Sequence, residues 1–143
     1  MKDIKSFIVL KYQIFTEDRS TWHLCETYPK IVRMKWALRC ARDVEHLSSK
    51  YPKVKACNDL TQKYIDSGMP ESMHEELMKA GYAAYATDHA ARAAHAATYA
   101  DAYGATAATA AAAAARVARS GTAKWKQYID WLVEELANYE EQS

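Results

Sequence analysis

From Ala80 to Arg119 the chain is built mostly from alanine, interrupted chiefly by Tyr, Thr, Asp, His, Arg and Gly. Alanine surrenders no side-chain entropy in a helix and has the highest helix propensity, so the segment is predicted to be helical. It also carries almost no bulk. Small side chains bring helix axes toward the lower end of the usual range of about 8–10 Å. The volume of the core must therefore come from neighbouring elements, and Trp36, Trp125 and Trp131 are the residues expected to supply it. One unbroken helix over this span would be a rod of roughly 60 Å at about 1.5 Å per residue. That is too long for a compact chain of 143 residues, so a break is predicted at Gly104, with Gly81 as the second candidate.

The flanking sequence supplies helices to pack on it. Ile31, Met34, Ala37, Leu38, Ala41 and Val44 fall on one arc of a helical wheel, and Trp36, Cys40 and Leu47 extend that arc, which predicts a helix over 31–47 buried on more than one side. A second helix is predicted over 53–67 from Val54, Cys57, Leu60, Tyr64 and Ile65, stopped at Gly68. Pro70 opens the next, with Glu71, Glu75 and Glu76 near the positive end of its dipole. Trp125, Tyr128, Ile129, Leu132, Val133 and Leu136 give a last helix its apolar face. Residues 4–15 alternate loosely and fit either a strand or a first helix. The expectation is an all-α, compact helical bundle, a single domain over 1–143 around the alanine-rich segment.

One pattern stands out within that segment. On a continuous helical wheel, Tyr85, Asp88, Arg92, His95, Tyr99, Tyr103 and Thr106 fall on a stripe about 80° wide at steps of three and four. Such a stripe suits a contact surface with hydrogen-bonding tips, and it suits equally an Asp88–Arg92 ion pair with tyrosines anchoring the helix to its neighbours. A second polar line, Thr87, Thr98, Asp101, Thr109 and Arg116, is read as a partly exposed face. A second candidate surface is the basic face Lys35, Arg39, Arg42 and His46, which either meets a phosphate backbone or pairs with the acidic last helix at Glu134, Glu135, Glu140 and Glu141.

The bulk properties narrow the choice. A net charge of +1 argues against generalised nucleic-acid binding. The alanine segment is too polar for lipid, so no membrane span is expected. Cys25, Cys40 and Cys57 lack a C-x-x-C pair, which fits buried thiols in a reducing cytoplasm. His89 and His95 are six apart and lie on different faces, so no metal site is expected. No catalytic constellation, phosphate loop or cofactor motif is recognised, and a non-enzymatic role is expected.

The run W-A-L-R-C-A-R-D-V-E-H-L at Trp36–Leu47, a short helix, and A-G-Y-A-A-Y-A-T-D-H-A-A-R-A-A-H-A-A from Ala80 together resemble an alanine-rich immunity-protein family of bacteria and phages. The resemblance covers residues 33–119 and implies a small helical protein that binds and neutralises a toxin, a nuclease or a host defence effector. It brings no catalytic residues. A protein partner is thus the expected ligand, on the Tyr85–Thr106 stripe or on the Lys35–His46 face, with self-association as a homodimer, a small anion or nucleotide in a pocket lined by the stripe, and nucleic acid on the Lys35–His46 face as the alternatives.

Overall fold

Every regular element is a helix in the computed structural model, which describes residues 4–12, 19–85, 89–117 and 121–142, and no strand occurs among the described residues. The first segment is a helix, α1 (Ile4–Tyr12), which settles the reading of that stretch as far as Tyr12, while residues 13–15 lie outside the described residues. A 3-10 segment (Arg19–Thr27) leads into α2 (Lys30–Val44), and a further 3-10 turn (Glu45–Ser48) joins α2 to α3 (Pro52–Asp66). Proline at the start of α3 costs nothing, because the first turn has no intrahelical partner for its missing N–H. The end of α3 is a Schellman motif: the Met69 N–H donates to Tyr64 O and the Gly68 N–H to Ile65 O, with Gly68 at φ +84°. A 3-10 turn (Glu71–Met73) then opens α4 (His74–Ala84).

The alanine segment is three helices rather than one bent rod: α4, α5 (His89–Ala97) and α6 (Gly104–Val117). Gly104 lies at a break, as its place in the sequence predicts. Gly81 does not, since it sits inside α4. Both glycines answer to close approach. A Cβ on Gly104 would lie 2.5 Å from the backbone of Glu26, and one on Gly81 would lie 2.7 Å from Thr98 Oγ1.

Helix α6 occupies the centre, against α2, α5, the Arg19–Thr27 segment and the last helix, α7 (Gly121–Gln142). It buries Ala107, Ala108, Ala110, Ala111, Ala113, Ala114 and Ala115. The bulk comes from the surrounding elements, as the composition of α6 requires. Trp36 is wholly buried on α2 and its Nε1–H donates to Tyr128 O at 2.7 Å, while the Tyr128 hydroxyl donates to Asp43 at 2.8 Å. Trp125 is buried against Trp22, with ring centroids 6.5 Å apart. Of the three tryptophans expected to fill the core, Trp131 is only partly buried. Helix α1 is held at the periphery by Lys11 and Tyr12, both bonded to Glu140 of α7.

The α5–α6 turn is fastened from below by a residue whose role its sequence position hides. Arg33, buried on α2, donates from Nε to Ala100 O at 2.9 Å and from Nη2 to Asp101 O, and its Nη1 reaches Glu26 O at 3.3 Å. The Asp101 carboxylate in turn accepts from the Tyr64 hydroxyl at 2.6 Å, and Thr98 is wholly buried with its hydroxyl on His95 O. Two members of the line read as a partly exposed face are therefore tied into the interior. Arg33→Met, which keeps length and loses all donors, is expected to destabilise the fold by about 2–4 kcal/mol, because the turn carbonyls lose a charged partner in a buried place. Urea denaturation followed by circular dichroism checks this; a midpoint within a few tenths molar of the parent would show that the clamp contributes little.

Candidate functional site

The break before α5 changes the meaning of the tyrosine stripe. The stripe was constructed on one continuous helix, whereas Tyr85 ends α4, Arg92 and His95 lie on α5, Tyr99 and Tyr103 lie in the α5–α6 turn, and Thr106 lies in the first turn of α6. Asp88 lies outside the described residues. With α4 packed against α5, the aromatic residues converge on His95 instead of forming a line.

His95 is the hub. Its Nδ1 meets Gly81 O at 2.9 Å, so the ring is pinned to α4 by a backbone contact that the glycine keeps open. Around it stand Tyr85 at 5.1 Å, Tyr99 at 5.3 Å and Tyr82 at 5.4 Å between ring centroids, all edge-to-face or tilted. These are the offset geometries that aromatic quadrupoles favour. Tyr82 and Tyr99 also meet edge to face at 6.4 Å, and the neighbouring Tyr82 phenol, with partial burial, pushes the Tyr99 phenol up to about 12. Tyr103 lies close enough to act electrostatically on Tyr99. Thr106 turns away, its hydroxyl bonded to Tyr103 O at 2.6 Å, and serves the start of α6.

Tyr82 was absent from the sequence pattern. It is three residues before Tyr85 and shares its face of α4, so the signal was present, but a wheel drawn through the break assigns Tyr82 to another side. The resulting surface is unusual for its exposure: Tyr82 is 68% exposed, Tyr103 62% and Tyr85 55%. Arg92 is exposed on α5 as well, and no carboxylate among the described residues forms a salt bridge with it. Tyr85 also borders a cleft of about 330 Å³ with Tyr51, Pro52, Lys53, Ala83 and Ala84.

The basic face formed by α2 and the 3-10 turn after it is partly neutralised, at Arg39 and Arg42. Arg39 stacks on Trp131 at 4.4 Å and pairs with Glu134 at 2.9 Å and Glu135 at 3.8 Å, whereas Arg42 turns to Glu45 and Asp59, each at 2.7 Å. Only Arg39 of that face therefore pairs with the last helix in the manner expected, and Lys35 and His46 remain exposed. A groove of about 470 Å³ runs beside Lys35, Arg39 and Arg42, but Asp66 and Glu135 line it too.

The three cysteines are buried. Burial pushes the Cys25 thiol up to about 12 and Cys57 to about 11, and raises Cys40 well above its ordinary value, so none is a thiolate near neutral pH. Among the described residues no group of His, Cys, Asp and Glu is arranged to hold a metal ion, and no helix is long and apolar enough to cross a membrane.

Compared with known proteins, the chain matches no family model, no curated sequence and no solved structure.

The influence of Tyr82 on Tyr99 can be followed by titration. A phenol whose pKa is raised in the fold contributes stability below its ordinary value of 10.0, and that contribution is lost as pH rises through about 12. Tyr82→Phe is expected to bring the Tyr99 titration down toward its ordinary value, as followed by the ring carbon shift of labelled tyrosine in NMR. An unmoved titration would assign the shift to burial alone.

Proposed function

We propose that this chain is a stoichiometric protein-binding inhibitor of the immunity type, which occupies a toxin, a nuclease or a defence effector through the tyrosine surface centred on His95. The observation that carries this reading is the combination of exposure and fixation. Tyr82, Tyr85 and Tyr103 present most of their rings to solvent, yet Tyr82 and Tyr85 are held by contacts to His95 and Tyr99.

That combination suits an interface. A tyrosine brings a large amphipathic area with few rotatable bonds, so a ring already fixed loses little entropy on binding. Tyrosine and arginine are enriched at interface hot spots, and Arg92 lies exposed on the same helix as His95. The class of partner follows the alanine-rich family that residues 33–119 resemble. The partial neutralisation of the α2 face gives less support to nucleic acid, since several phosphate contacts need several uncommitted cations.

The test is capture followed by function. Tagged parent and the Tyr82→Ser/Tyr85→Ser chain, both confirmed folded by circular dichroism, are exposed to bacterial lysate, and the recovered material is analysed by mass spectrometry and light scattering. The parent is expected to retain one protein at a 1:1 ratio and to suppress its activity at equimolar amounts, with affinity about thirtyfold weaker in the double variant, as for a hot-spot loss. Equal capture by both chains would exclude the tyrosine surface, and recovery of the chain alone, as monomer or dimer, would remove the inhibitor reading.

A further inference from the structure

Beside the tyrosine surface, the cleft between Tyr51 and Tyr85 has a composition that specifies an occupant. It is lined by Tyr51, Pro52, Lys53, Ala83, Ala84 and Tyr85. Lys50 lies over the Tyr51 ring with its ammonium 5.3 Å from the centroid. Both lysines are exposed, and no carboxylate among the described residues forms a salt bridge with either, in contrast to Lys55 farther along α3, which pairs with Asp59 at 2.7 Å. A mostly apolar cleft with one lysine in its lining and a second over one of its rings suits an apolar knob flanked by anions.

We propose that this cleft receives an aromatic side chain from an acidic segment of a partner protein, with Lys50 and Lys53 holding the flanking carboxylates. The assignment rests on the inhibitor reading above and adds the chemistry of the partner. The walls are set before anything binds: Tyr85 is fixed edge-on to His95 at 5.1 Å, Pro52 is rigid at the start of α3, and the Tyr51 backbone is bonded on both sides, to Ser48 O and from the Val54 N–H. A cleft of about 330 Å³ has room for an aromatic side chain. Aromatic rings beside lysines also suit stacked bases, but two lysines on a chain of net charge +1 offer little to a phosphate chain, whose affinity grows with each phosphate neutralised. A partner with an acidic patch is therefore favoured, the reverse of the basic surface that a nuclease presents to its substrate.

The experiment uses the full chain, labelled with nitrogen-15, and titrates the peptide acetyl-DEWDE-amide into the millimolar range at low ionic strength. Amide shifts are expected at Tyr51, Lys53, Ala84 and Tyr85. Binding should weaken about tenfold for acetyl-NQWNQ-amide or acetyl-DEADE-amide, and about tenfold for the Lys50→Glu/Lys53→Glu chain, which should in turn bind acetyl-KKWKK-amide. Equal binding of the uncharged peptide, shifts centred elsewhere, or tighter binding of a ten-nucleotide oligothymidylate at the same residues would overturn the proposal. So would a dimer, seen by light scattering, that the two charge reversals dissolve, because the occupant would then be a second copy. If a partner captured by the tyrosine surface is held equally well by the Lys50→Glu/Lys53→Glu chain, the cleft assignment fails and the inhibitor reading stands. If nothing is captured while acetyl-DEWDE-amide still binds at the cleft, the inhibitor reading alone fails.

Discussion

A helix whose buried residues are nearly all alanine cannot fill a core by itself, and the architecture of this protein follows from that shortage of volume. Helix α6 contributes backbone and methyl groups, so its neighbours must approach closely and bring the bulk with them. Trp36, Met34, Tyr128, Leu132 and Leu136 are buried on the helices that surround it. Dispersion is individually weak and summed over many contacts, which makes close approach valuable and leaves no room for an added methyl group at Gly104, where the backbone of Glu26 is already in contact range.

Close approach creates a polar problem at the turn between α5 and α6. A tight turn leaves carbonyls without helical partners, and here they face the interior. Arg33 answers two of them at once, since its planar fork donates to Ala100 O and Asp101 O, and the same side chain reaches Glu26 O in the Arg19–Thr27 segment. The Asp101 carboxylate, anchored by Tyr64, lies close enough to offset part of the cost of burying that guanidinium. The clamp fixes where Tyr99 and Tyr103 stand, and with them one side of the aromatic cluster.

The candidate surface is thus a by-product of packing constraints that lie beneath it. Alanine permits α4 and α5 to close, Gly81 leaves room for His95 to reach a backbone carbonyl, and the tyrosines gather around that histidine because their polar tips can remain in water while their rings touch. The basic face of α2 illustrates the contrary case. Its residues look like a binding site when listed along the chain, yet Arg39 and Arg42 are committed to carboxylates on α7, α3 and the turn after α2.

Helix content, the all-α class, the extent of α3, the stop at Gly68 and the break before Gly104 were legible in the sequence, because each depends on local propensity, helical periodicity or backbone freedom at a single residue, whereas the helix expected over 31–47 gives way after Val44 to a 3-10 turn that leaves Leu47 half exposed. The number of breaks in the alanine segment was not legible, since alanine is equally content in one long helix or three short ones and only packing chooses between them. That choice also decided the site: Tyr85, His95, Tyr99 and Tyr103 were visible as a pattern, but their convergence, and the inclusion of Tyr82 and Tyr51, depend on α4 folding back against α5 and α3. The role of Arg33 was likewise hidden, because nothing local distinguishes an arginine in water from one that holds a buried turn. Sequence determined which segments are helical and how little bulk the central ones carry; tertiary structure alone decided which charges are neutralised and which aromatic rings meet, because those depend on contacts between residues far apart along the chain.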